Sequence, residues 1–143
     1  MQLFSHDTKA NALGRAPLFK NLSRSELVEL AKVTEDLEVA EGKVLAREGD
    51  IGQEFFVIVD GEVVVTKDGK EINRLSAGDF FGEIALIWES PRRTATVTAA
   101  TPVRFFVLTR QAFRSLLGHH PDIEGKVLEE LDRRAGATET AEA

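Results

Sequence analysis

The chain has 143 residues, 43% hydrophobic and 29% charged, with a formal net charge of −6 and no cysteine. This is enough chain for one domain with a real core; the acidic balance argues against a chain-wide nucleic-acid footprint, and the lack of cysteine excludes disulfides and thiolate metal sites. No apolar run reaches the length of a bilayer span, and Met1 to Asp7 lacks the long apolar segment of a signal peptide, so a soluble cytoplasmic protein without membrane insertion is expected.

Asp7 to Arg15 reads as a short helix, and Ala16-Pro17-Leu18-Phe19 as a tight connector, because proline resists helix continuation. Ser23-Arg24-Ser25-Glu26 is a capping-box signal, with Ser23 as N-cap and Glu26 at the third helical position. Leu27, Leu30 and Ala31 follow at helical spacing. From Val33 to Leu108 the pattern changes to short β-branched and aromatic runs between glycine turns. Phe55–Val59, Glu62–Thr66 and Val103–Leu108 read as strands, and Asp68-Gly69 as the turn of a hairpin between Val63-Val64-Val65 and Ile72-Asn73-Arg74-Leu75. Many short strands at this spacing predict a small sandwich or barrel rather than βαβ units.

The helical pattern returns after Leu108. Thr109 is expected to cap a helix carrying Phe113, Leu116 and Leu117, with Gly118 ending it and Pro121 opening the next at a favoured first-turn position. That last helix carries Ile123, Val127, Leu128 and Leu131 as one apolar side; Gly125 inside it costs about 1 kcal/mol. Residues 1–135 are expected to form the folded domain and residues 136–143 a disordered tail without bulky apolar groups.

One segment concentrates chemistry. Gly82 permits close approach of a ligand to the backbone, and Glu83 to Trp88 reads as a short apolar helical turn opening directly after it. The N–H groups of a helix start, here those of Ile84 and Ala85, suit an anion such as phosphate. Arg93 supplies a planar fork for the same group. Glu83 is an acceptor-only carboxylate; beside an anion it needs hydroxyl protons to receive, and a ribose 2′-OH provides one. The alternative is a first-turn acid that merely favours the helix dipole. Strand parity places Arg93 with Ala95, Val97 and Ala99 on the interior face, opposite Thr94, Thr96 and Thr98. Arg92 falls on the solvated face, and Thr94 is either a hydroxyl donor to the ligand or a strand threonine.

Phe81-Gly82-Glu83-Ile84-Ala85-Leu86 followed by Arg93-Thr94-Ala95-Thr96-Val97 resembles the phosphate-binding cassette of cyclic nucleotide-binding domains. Gly49-Asp50-Ile51-Gly52, then Phe55 to Val59, then Gly61, matches a second signature of that family upstream. The loop from Ile87 to Arg92 is one residue longer than in close kinase-type cassettes, and the Thr-Ala-Thr-Val register assigns the key arginine to Arg93. The resemblance implies a mainly β fold: a jelly-roll barrel with N-terminal helices, a short cassette helix and a C-terminal lid helix. It also implies ligand binding by Gly82, Glu83, Ile84, Ala85, Arg93 and Thr94, with Val127, Leu128 and Leu131 in the lid. The ligand would be cAMP in preference, with cGMP possible, and no cofactor or metal.

Three other readings are weaker. Metal-dependent β-barrel enzymes need clustered histidines and carboxylates, whereas His6, His119 and His120 all lie outside the β segment, so no enzyme is expected. The short stretch after Leu131 is too short for a helix-turn-helix, so DNA binding is not expected either. A ligand-free interaction domain of the same fold would be expected to lack the arginine or the glutamate, and both are present. The module is therefore expected to be monomeric and to act on an effector protein in trans.

Overall fold

The computed structural model describes residues 6–87 and 92–135; the loop carrying Trp88 and the tail 136–143 lie outside the described residues. These residues cluster into two compact units. One is helical and built from the chain up to Thr34 and from Gln111 onward; the other is the β segment Glu35–Arg110.

The β unit holds eight strands: β1 (Glu35–Val39), β2 (Val44–Ala46), β3 (Glu54–Asp60), β4 (Glu62–Lys67), β5 (Lys70–Ser76), β6 (Phe80–Phe81), β7 (Thr96–Ala99) and β8 (Val103–Thr109). They form two four-stranded antiparallel sheets, ordered β1-β8-β3-β6 and β2-β7-β4-β5. The pairs nest: β1 with β8, β2 with β7, β3 with β6, and β4 with β5 at the centre. That is one long hairpin rolled into two layers, the jelly-roll arrangement, and it meets the expected fold class. At the centre of the roll, Asp68 and Gly69 have φ values of 53° and 79°. A two-residue turn with positive φ at both positions matches the twist of the flanking strands, and glycine takes that conformation without steric cost.

Side chains alternate as the pleat demands. Phe56 and Ile58 of β3, Val63 and Val65 of β4, Val97 and Ala99 of β7, and Val103 and Phe105 of β8 share one buried cluster with Phe81. Phe56 stacks on Phe81 with ring centroids 4.6 Å apart, and Phe105 meets both rings edge-on. Phe55, Val57, Phe106 and Leu108 on the opposite face are buried too. Strands buried on both faces read as continuous apolar runs, which is why β3 and β8 show no alternation in sequence.

In the helical unit, α1 (His6–Leu13) is followed by a 3-10 turn at Pro17–Phe19, then α2 (Arg24–Lys32). Ser23 caps α2: its side chain accepts from the Glu26 N–H, and the Glu26 carboxylate accepts from the Ser23 N–H at 2.7 Å. After the β unit come α3 (Arg110–His119) and α4 (Pro121–Ala135). Two expectations are corrected here. Gly118 does not end α3 but lies within its last turn, where a Cβ would meet nothing within 4 Å, so no steric demand singles out glycine. The apolar side of α4 is also rotated: Ile123, Val127 and Glu130 are buried, whereas Leu128 is 52% exposed and Leu131 only partly covered. Glu130 can occupy a buried place because Lys20 lies 3.8 Å from its carboxylate and Arg133 hydrogen-bonds it.

Candidate functional site

The β3–β6 ladder sets the site. Phe56 pairs with Phe81, so the chain leaving β6 passes the start of β3 at Gly82. Gly82 has φ +85°, a left-handed conformation that favours glycine. A Cβ there would stand 2.6 Å from the Glu54 carbonyl oxygen and 2.7 Å from Arg93 Nη1, so the residue is excluded from having a side chain twice over. Directly after it, Glu83–Leu86 forms a single 3-10 turn, shorter than the expected helix, in which the Ala85 N–H donates to the Gly82 carbonyl at 3.0 Å. Glu83, Ala85 and Leu86 are buried and Ile84 is partly covered. Glu83 is only 5% exposed and is the acid of the first turn.

The upstream signature is tied to the arginine segment by backbone. The Gly49 N–H donates to the Arg93 carbonyl and the Arg93 N–H to the Asp50 carbonyl, each at 2.8 Å. Arg92 points outward as expected and donates to the Gly49 carbonyl at 2.8 Å. Arg93 turns inward with Ala95, Val97 and Ala99, all buried, while Thr94, Thr96 and Thr98 are partly covered on the other side. The parity reading therefore holds, even though regular strand geometry starts only at Thr96.

The Arg93 guanidinium lies in a notch between two glycines. A Cβ on Gly52 would fall 1.8 Å from Arg93 Nε, and one on Gly82 would strike Nη1. Its Nη2 donates to the Glu54 carbonyl at 2.9 Å, and the Glu54 carboxylate is 3.8 Å away. The Arg93 side chain is only 5% exposed, that of Glu54 47%. Burial pushes the guanidinium below its usual pKa, with Glu54 acting against that shift, yet a guanidinium stays charged at neutral pH. Arg93, Gly52, Asp50, Ile51, Glu54, the strand β2 and Arg47 line a cleft of about 200 Å³. A buried cation facing a cleft, with one carbonyl and one distant carboxylate as partners among the described residues, has the charge and the hydrogen-bond donors to receive an anion.

The structure thus brings Gly82 and Arg93 together and sets Glu83, Ile84 and Ala85 in the turn that leaves Gly82; Thr94 follows Arg93 on the outward side. Val127, Leu128 and Leu131 belong to α4 in the helical unit, with Val127 buried there. The sequence reading missed Gly52 and Glu54 as parts of the site. Gly52 stood inside a quoted signature, and the carbonyl of Glu54 has no signal in a sequence at all.

Fold and site together make this chain a jelly-roll β module that holds a buried arginine against a Gly-Glu turn. Residues 36–120 match the family model described as the cyclic nucleotide-binding domain. The chain belongs to the cyclic nucleotide-binding domain family. It is 38% identical over 121 residues to a cyclic nucleotide-gated potassium channel of Rhizobium etli, covering 84% of this chain and 34% of the channel. Among solved structures it resembles the N-terminal domain of a transcriptional regulator from Streptomyces coelicolor, with a TM-score of 0.78 and 27% identity over 87% of this chain and 90% of that one. It also resembles cAMP-bound PfPKA-R, with a TM-score of 0.67 and 30% identity over 90% of this chain and 48% of that one. The chain spans about a third or less of the curated relatives it matches.

Proposed function

We propose that this chain binds a cyclic nucleotide, cAMP in preference with cGMP also accepted, as a cytoplasmic regulatory module without catalytic activity of its own. The observation that carries this reading is the Arg93 guanidinium, buried between Gly52 and Gly82 and facing a cleft. A cyclic phosphate there accepts two parallel charge-assisted hydrogen bonds from the guanidinium fork. The N–H groups of Ile84 and Ala85 add to it, that of Ala85 by sharing its present bond to Gly82. Glu83 receives the ribose 2′-OH, and Thr94 offers a hydroxyl to the phosphate or base. The cAMP-bound PfPKA-R among the neighbours supports cAMP as the first ligand to try. Signal leaves through α4, with Val127, Leu128 and Leu131 as its reporting residues, to an effector protein in trans.

The test is calorimetric titration of wild type and Arg93→Ala with cAMP and cGMP. Truncating one partner of a buried charge pair costs about 2–5 kcal/mol, roughly thirtyfold to several thousandfold in affinity. One site per chain and a loss of that size are expected; equal affinities remove Arg93 from the site, and a large loss in Arg92→Ala instead moves the assignment by one residue.

A further inference from the structure

Glu54 opens β3 and meets Arg93 twice, by two groups of different kind. Its carbonyl accepts from Arg93 Nη2 at 2.9 Å and is fixed by the strand, where Glu54 pairs with Thr109. Its carboxylate lies 3.8 Å from the same nitrogen, beyond hydrogen-bond length, on a side chain that is half exposed. Among the described residues no hydrogen bond is donated to that carboxylate that would hold it elsewhere, and it lines the same cleft as Arg93. The negative charge nearest the arginine is therefore a displaceable one.

We infer that Glu54 is an internal counter-ion that competes with the ligand's phosphate for Arg93, and so sets both affinity and the preference for a singly charged phosphate. This rests on Arg93 being the phosphate anchor. Two effects act in the same direction. With the cleft empty, the carboxylate offsets part of the charge of a cation whose burial is costly. With the cleft filled, it faces the ligand's like charge at short range. Coulomb repulsion scales with ligand charge, so a dianionic phosphomonoester such as 5′-AMP is disfavoured more than the monoanionic cyclic phosphodiester. The carbonyl contact is untouched by side-chain substitution, so Arg93 keeps its place in the notch when the carboxylate is removed.

Calorimetric titration of wild type, Glu54→Gln and Glu54→Ala with cAMP and with 5′-AMP tests this. Because Glu54 is half exposed, solvent screens the effect, and a gain of about 1.5- to fivefold in cAMP affinity is expected. The gain for 5′-AMP should exceed that for cAMP in both variants. Unchanged or weakened cAMP binding overturns the inference, as does a gain no larger for 5′-AMP. If wild type binds cAMP and Arg93→Ala abolishes it while the Glu54 variants bind as wild type does, the counter-ion role alone falls. If wild type binds neither nucleotide, the proposed function falls with it.

Discussion

Glu83, only 5% exposed on a four-residue turn, carries an acceptor carboxylate whose work the ribose reading defines. Under the ribose reading that work is discrimination between a hydroxyl and a hydrogen. A charged acceptor's hydrogen bond is worth about 1.5–3 kcal/mol, so wild type should prefer cAMP over 2′-deoxy-cAMP by roughly ten- to hundredfold, and Glu83→Gln should lose most of that preference. Equal binding of the two nucleotides by wild type returns Glu83 to a structural role. Arg93 and Glu54 differ in how far a sequence could reveal them. The small apolar residues Ala95, Val97 and Ala99 alternate with threonines, so parity alone turned Arg93 inward. Glu54 acts partly through a carbonyl, and every residue type has one. The notch made by Gly52 and Gly82 depends on two loops meeting, and spacing along the chain carries no such information.

Among the elements, α2 and α4 are joined by a hydrogen-bonded ion pair, Lys126 Nζ donating to Glu26 Oε1 at 2.7 Å. The same carboxylate closes the capping box of α2. Lys126 first, and the Ser23 N–H second, hold the Glu26 carboxyl below the usual range. A carboxyl whose folded pKa is depressed adds stability that is fully present above its unfolded value, about 4.3, and is lost as pH falls below that value through the folded one. Thermal unfolding of wild type and Glu26→Gln should therefore differ most at neutral pH and converge in the acid range below about pH 4.3; curves that stay parallel down to pH 3 contradict the linkage. The capping box was legible because Ser23 and Glu26 are local in sequence. The side of α4 was not. Leu128 drew the apolar stripe one way, while the true stripe runs through Glu130, a charged residue that hydrophobicity places outside. Its partners, among them Lys20 from a remote segment and Arg133 one turn on, make that burial tolerable.

For the molecule as a whole, the corrected stripe bears on assembly. Ile123 and Val127 are already buried, and Leu128 is the large hydrophobic residue of α4 that stands exposed among the described residues. A helix of 15 residues with a single exposed leucine offers no sustained seam for pairing with a second copy. Light scattering at micromolar concentration should give the mass of one chain, with and without saturating cAMP, while hydrogen exchange of residues 123–131 slows on adding it. A ligand-independent dimer defeats the first expectation, and unchanged exchange defeats the readout through α4. The fold class was legible at this scale because short strands between glycine turns admit few architectures. The nested order of the strands was not, since it depends on pairings between remote segments.

That nesting also governs when the β unit can come into being. Only β4 and β5 are neighbours joined by a tight turn; β1 waits for β8, with Glu35 opposite Val107. The central turn at Asp68-Gly69 can close early, and each outer pair can close only over a longer intervening loop, at a rising entropic cost. Folding dominated by such distant pairings is slow, on the order of milliseconds to seconds. A chain emerging from the ribosome has made both glycines that flank Arg93 before the arginine itself exists, and β1 stays an unpaired edge until the last strand is synthesised. The notch is thus assembled from the inside of the roll outward, and Arg93, which fills it, is the last of its residues to be made.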